Sequence, residues 1–146
     1  MKTLTQIQSF LGLELEGGGR NFDNAVHQLT IDSRQVKAGD GFIALQGGQV
    51  HGLDFLTSVL EQQPALILTD KEPNTEQQRW LDEHPNTVCF VVKDIAMSLG
   101  RFSDWFYEHP SQRIRVVGIT GTNGKTSTAF YTAQLLDALG KKTALI

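Results

Sequence analysis

Apolar positions in this chain recur with two periods, and the alternation between them predicts the fold. Leu4, Ile7, Phe10 and Leu11 are spaced as one face of a short helix stopped by Gly12, and Gly17-Gly18-Gly19 makes a turn. Residues 26–32 alternate apolar and polar side chains, which predicts a strand. A turn at Ala38-Gly39-Asp40-Gly41 leads into a second strand, Phe42-Ile43-Ala44-Leu45, that runs into Gly47-Gly48. Phe55, Leu56, Val59 and Leu60 sit at helical spacing within 54–63, and Pro64 then precedes a short buried strand at 65–68. A polar surface helix is predicted over 75–83 and a strand over 87–92. Asp94 is placed to cap a helix presenting Ile95, Leu99, Phe102 and Phe106 on one face, which ends at His109-Pro110. Strands that alternate with helices imply an α/β fold with a largely parallel or mixed sheet.

A new set of elements starts after Pro110. An apolar run at 114–119 reads as a strand, and a helical segment follows Thr126, with Phe130, Leu135, Leu136 and Leu139 expected to pack on a sheet. Gly140 would cap that helix and 142–146 would begin the next strand. Two domains are therefore expected, a small mixed-sheet domain at 1–111 and the first βα(β) unit of another at 112–146. Only twenty residues follow Thr126, so the second is expected to be truncated.

Between that strand and helix lies Thr120-Gly121-Thr122-Asn123-Gly124-Lys125-Thr126. A strand, a glycine loop and a helix start in this order form a phosphate cradle: glycines let backbone N–H groups converge on phosphate oxygens, and the helix dipole adds positive potential. Lys125 would neutralise the β- and γ-phosphates and the Thr126 hydroxyl would bind Mg²⁺. Ile119 stands where the general motif has its leading glycine, so the loop is a variant that starts at Gly121.

Composition narrows the ligand. The chain has 146 residues, 40% of them hydrophobic, and a formal charge of −3 without a Lys/Arg cluster, which argues against a nucleic-acid surface but not against small anions. Its one cysteine, Cys89, lies in an apolar strand and is expected to be buried. His27, His51, His84 and His109 lack ligand spacing, and Trp105, Phe106 and Tyr107 fit a helix end packed on the core. No export signal or run of about 20 apolar residues is present, so a cytoplasmic protein without membrane insertion is expected.

The phosphate loop, preceded by Val116-Val117-Gly118-Ile119, resembles the ATP loop of the Mur ligases and of folylpolyglutamate synthetase, which form amides at the expense of ATP. Asp32-Ser33-Arg34, Gly39-Asp40-x-Phe42-Ile43-Ala44, Gly47, Gly52 and Phe55 resemble the UDP-binding domain shared by the MurE and MurF branches, which folylpolyglutamate synthetase lacks. Phe106-Tyr107-x-His109-Pro110 leading into Thr-Asn-Gly-Lys is more similar to the MurE branch.

The resemblance implies a ligase that adds a diamino acid, meso-diaminopimelate or L-lysine, to UDP-MurNAc-L-Ala-D-Glu in peptidoglycan synthesis, acting through an acyl phosphate as a monomer. It assigns Ile31 and Ser33 to the uridine nucleotide, and Gly48, Gln49 and Val50 to a loop on its other side. It assigns Gly121, Thr122, Asn123, Gly124, Lys125, Thr126 and Ser127 to ATP, with Lys125 catalytic and Thr126 on Mg²⁺. The residues alone leave another reading of Asp32-Ser33-Arg34, a capped turn in which Arg34 pairs with an acid such as Asp40. Two departures from the family pattern stand out: Gly41 where a larger apolar residue is usual, and His51 where Asp is usual. The other functional classes are a non-catalytic nucleotide-binding module or a P-loop kinase or GTPase. Those predict binding of a nucleoside triphosphate without competition from a UDP-sugar.

Overall fold

The computed structural model describes residues 1–13 and 24–146, so the predicted turn at Gly17-Gly18-Gly19 lies outside the described residues. The chain divides into two compact units, Met1–Pro110 and Ser111–Ile146.

In the first unit, β1 (Lys2–Thr3) leads directly into α1 (Leu4–Leu11). Thr3 and Gln6 form a reciprocal capping box at its start, and Gly12, left-handed at φ 66°, ends it. β1 pairs antiparallel with β2 (Ala25–Val26). The main sheet holds β3 (Leu29–Thr30), β4 (Gly41–Ala44), β5 (Leu66–Thr69) and β6 (Val88–Val91) in that order, all parallel. The strand expected at 26–32 is thus two short ones in different sheets. Between them the His27 N–H donates to Gly39 O and the Gly41 N–H to Gln28 O, so the chain changes partners where alternation alone reads as continuous.

Helices cover both faces of the sheet. β4 and β5 alternate their side chains between two cores, as the period of two requires. Ile43, Leu66 and Leu68 join Leu4 and Ile7 of α1 and Ile95, Phe102 and Phe106 of α4 (Ile95–Phe106). Phe42, Ala44 and Ile67 join Leu56, Val59 and Leu60 of α2 (Leu56–Leu60) and Leu81 of α3 (Thr75–Asp82). β4 and β5 are buried along their whole length, which explains their nearly unbroken apolar sequence.

Details depart from expectation. A 3₁₀ turn at Gly52–Phe55 precedes α2, so the helix is shorter than its periodicity suggests. Asp94 occupies the N-cap of α4, but its side chain makes no capping hydrogen bond. At Gly41 an added Cβ would lie 2.8 Å from Leu29 Cδ2 and 3.1 Å from Val26 Cγ1, so a larger side chain there would require those two side chains to shift. Cys89 is in β6 as expected, but only half-buried. The Tyr107 hydroxyl accepts the Leu29 N–H at 3.0 Å, satisfying a donor on edge strand β3. Trp105 stacks on Phe10 at 4.3 Å.

The second unit contains α5 (Lys125–Ala138). Its C-terminus is closed by Gly140, left-handed at φ 72°, with the Lys141 N–H on Leu136 O. Neither 114–119 nor 142–146 is a strand among the described residues, contrary to expectation. Val116, Val117, Phe130, Leu135 and Leu139 are exposed. A strand needs a pairing neighbour, and this unit supplies none for the helix to cover.

Candidate functional site

Because β3 to β6 are parallel, their carboxyl ends share one edge of the sheet, the edge at which open α/β sheets bind ligands. β3 leads there into Ile31, Asp32 and Ser33; β4 leads into residues 45–52; β5 leads into Asp70 and Lys71. Ile31 and Ser33 and the loop of Gly48, Gln49 and Val50 therefore follow adjacent strands, whose usual spacing is about 4.8 Å.

On the β3 side, Asp32 caps the 3₁₀ turn Ser33–Gln35 through the Arg34 N–H. The Arg34 guanidinium grips the same carboxylate with two bonds, Nε to Oδ1 at 2.9 Å and Nη2 to Oδ2 at 2.8 Å. Those side-chain bonds, with the backbone bond, hold the Asp32 carboxyl well below the usual carboxylate range. Arg34 pairs with Asp32 rather than Asp40, whose carboxylate takes Gln28 Nε2 and the Lys37 N–H. Ser33 opens that turn two residues after Ile31, an apolar side chain 68% exposed at the sheet edge. Among the described residues the Ser33 hydroxyl takes no protein partner.

On the β4 side, the loop is tied back on itself. Gln46 bridges His51, the Gly47 N–H donates to Val50 O, and the Gly52 N–H donates to Leu45 O. Gly52 rests on β4: a Cβ there would lie 2.5 Å from Ala44 Cα. At Gly48, by contrast, an added Cβ would meet nothing within 4 Å, so backbone is accessible at the tip. Val50 is 49% exposed. His51 is buried, its Nδ1 accepts the Leu53 N–H, and its Nε2 lies 2.8 Å from Asp70 Oδ1. The imidazole thus caps the following turn and adds a link to β5. The substitution was visible in the sequence, but Asp70 was missed, being nineteen residues away.

Two other histidines serve local structure: His84 Nδ1 meets Trp80 O, and His109 Nδ1 meets Asp104 Oδ2. Among the described residues no helix is long and apolar enough to cross a membrane.

In the second unit, Gly121 has φ 155° and Gly124 φ 73°, and α5 starts at Lys125. Thr122 and Asn123 lie in the bend between the glycines, while Thr126 and Ser127 follow Lys125 in the first helical turn. Lys125 Nζ donates to Gly121 O at 2.6 Å, which sets its charge over the loop, beside the unpaired N–H groups of the helix start.

Residues 25–122 match the family described as Mur ligase family, catalytic domain. The chain belongs to the Mur ligase family. Among curated Mur ligases, a UDP-N-acetylmuramoyl-L-alanyl-D-glutamate--2,6-diaminopimelate ligase of Haemophilus ducreyi is 38% identical over 126 residues, covering 82% of this chain and 25% of that protein. Ligases of the same name from Alkalilimnicola ehrlichii and Pseudomonas putida are 37% and 35% identical, each over 85% of this chain. The chain spans about a quarter of the length of these relatives. A solved structure of a 2,6-diaminopimelate ligase of that name superposes with a TM-score of 0.62 at 20% identity, covering 95% of this chain and 26% of that one. A MurF from Acinetobacter baumannii gives 0.65 at 20% identity over 94% of this chain and 28% of its own. A Thermotoga maritima MurF ligase in complex with ADP gives 0.54 at 23% identity, over 77% of this chain and 24% of its own. The Mur ligase fold, a mixed α/β arrangement with a parallel sheet, is common to all of them.

Proposed function

We propose that this chain is the substrate-docking part of an ATP-dependent Mur ligase of the MurE branch, one that joins a diamino acid to UDP-MurNAc-L-Ala-D-Glu in peptidoglycan synthesis. The observation that carries the branch is the shared name of the curated relatives at 35–38% identity. MurF structures superpose about as well, but at 20–23% identity they speak to fold alone. The name of those relatives favours 2,6-diaminopimelate over lysine as the added amino acid.

In this reading Ile31 lies against the uracil ring, Ser33 hydrogen-bonds the nucleoside, and Gly48, Gln49 and Val50 hold the diphosphate side. An exposed apolar residue and an accessible glycine backbone on neighbouring strands suit a flat ring joined to an anion. Residues 121–127 hold ATP, a reading supported by the glycine loop that opens α5 and by the Lys125 Nζ held over it, with Lys125 on the phosphates and Thr126 offering its hydroxyl to Mg²⁺. The Thr126 hydroxyl is a hard oxygen donor beside the lysine, which fits Mg²⁺. That ion would offset charge on the transferred phosphoryl group. Lys125 would supply further positive charge to the same oxygens, and the substrate carboxylate would become an acyl phosphate open to the incoming amine. The protein acts in the cytoplasm, where UDP-linked precursors and ATP occur together.

The activity test is ATP hydrolysis by the longer ligase containing this segment. Phosphate release should require UDP-MurNAc-L-Ala-D-Glu and a diamino acid together. Release with a D-alanyl-D-alanine acceptor and a tripeptide substrate instead would move the protein to the MurF branch.

A further inference from the structure

His51 uses both ring nitrogens, and the two bonds leave different parts of the fold joined. A backbone N–H can only donate, so Nδ1, which takes the Leu53 N–H at 3.0 Å, carries no proton. The proton therefore sits on Nε2 and is donated to Asp70 Oδ1 at 2.8 Å. The ring is 6% exposed, so little water competes for either bond. The His51 N–H donates to Asp54 Oδ2, which closes the cap from the other direction. Residues 46–51 are thus fastened at their carboxyl end to the turn before α2 and laterally to the end of β5. At their tip, an added Cβ on Gly48 would meet nothing within 4 Å.

We propose that His51 and Asp70 form a clamp that sets the shape of residues 47–50 for a nucleoside diphosphate sugar, with His51 as a positioning residue. The clamp rests on the reading in which this loop binds the diphosphate side of a UDP-sugar. An Asp at position 51 could accept the Leu53 N–H but, ionised, could not donate to Asp70; the imidazole does both. A loop held this way loses less freedom on binding, which is where its contribution to affinity arises.

The test uses the 146-residue chain and UDP-MurNAc-L-Ala-D-Glu, titrated by amide NMR shifts at a temperature where circular dichroism shows every variant folded. H51N keeps an acceptor near the Leu53 N–H and loses the reach to Asp70; D70A removes the acceptor and leaves the ring. Each should weaken binding about tenfold, the size expected when a hydrogen bond to a charged group is lost. D70N, which keeps an acceptor oxygen, should bind within about twofold of the unaltered chain. Nitrogen shifts of the imidazole should show the proton on Nε2. Hydrogen exchange at the Gly47 amide should accelerate in D70A while that of Ile67 in β5 does not. Tight binding by both H51N and D70A would overturn the clamp while leaving the UDP-sugar reading intact. Equal loss of protection at Gly47 and Ile67 would reduce the pair to general structural support and overturn the positioning role. If the unaltered chain shows no shifts at all, clamp and substrate reading fall together.

Discussion

Gly52→Ala isolates the foot of the loop that the substrate reading depends on. The added Cβ would lie 2.5 Å from Ala44 Cα, 2.9 Å from Ala44 Cβ and 3.0 Å from Ala44 C. Ala44 cannot swing aside, because it is buried in β4 and its strand pairs in register with β5, Ala44 opposite Thr69. Relief must come from moving the 51–53 backbone, which strains the Gly52 N–H bond to Leu45 O at 2.9 Å and the His51 cap. Overpacking of a core site costs about 1–3 kcal/mol, and a contact with backbone belongs at the upper end of that range. At about 4 °C per kcal/mol for a domain of this size, melting should fall by roughly 8–12 °C. Gly48→Ala is the control. Its Cβ meets nothing within 4 Å, so stability should change by less than about 1 kcal/mol. If Gly48 lies against the diphosphate as proposed, affinity for UDP-MurNAc-L-Ala-D-Glu should nevertheless fall, because the added methyl group would meet the ligand. Thermal melts by circular dichroism and a ligand titration on both variants separate the two effects. Gly52→Ala melting within a degree or so of the unaltered chain would refute the close packing of the loop on β4.

Other perturbations probe separate parts of the molecule. Phe102 is fully buried among Phe10, Trp105 and Phe106, so Phe102→Ala should cost about 3–5 kcal/mol in urea unfolding, enough to unfold a marginal domain. Asp32 is held ionised by Arg34, so Asp32→Asn should lower the melting temperature near neutral pH. As pH falls below the usual carboxylate range the unfolded chain takes up a proton that the native Asp32 refuses. The gap between Asp32→Asn and the unaltered chain should then narrow, and close only when the native carboxyl itself is protonated. Arg34 is 86% exposed, so solvent screening keeps the effect small. In the longer ligase, Lys125→Ala should reduce kcat for substrate-dependent phosphate release by about 10²–10³-fold, the usual loss when a charge-stabilising donor is removed.

Local signals in the sequence carried much of the first unit. α1 and α4 were legible because each buries a stripe at helical spacing, α3 because its polar run suits a surface helix, and Gly12 and Pro110 mark ends by their backbone limits. Strand partners were not legible. Alternation over 26–32 looks the same whether the segment stays in one sheet or, as here, leaves β1 to join β4. The apolar run at 114–119 likewise has strand character, yet Val116 and Val117 are 69% and 63% exposed, because strand formation requires a neighbour that this unit does not contain. Of the candidate site, Ile31, Ser33 and residues 48–50 were named through family resemblance. Only the parallel register explains why segments so far apart in the chain arrive at one edge. The His51–Asp70 link is non-local in the same sense, since no pattern around position 51 points to position 70.

Titration of the chain with UDP-MurNAc-L-Ala-D-Glu decides whether the carboxyl edge of this small sheet docks a UDP-sugar, as proposed. Saturable binding is expected, with amide shifts concentrated at Ile31, Ser33 and residues 48–50, weakened by Gly48→Ala and unaffected by Lys125→Ala. Absence of saturable shifts, or binding confined to residues 121–127 with ATP as a full competitor, would contradict it.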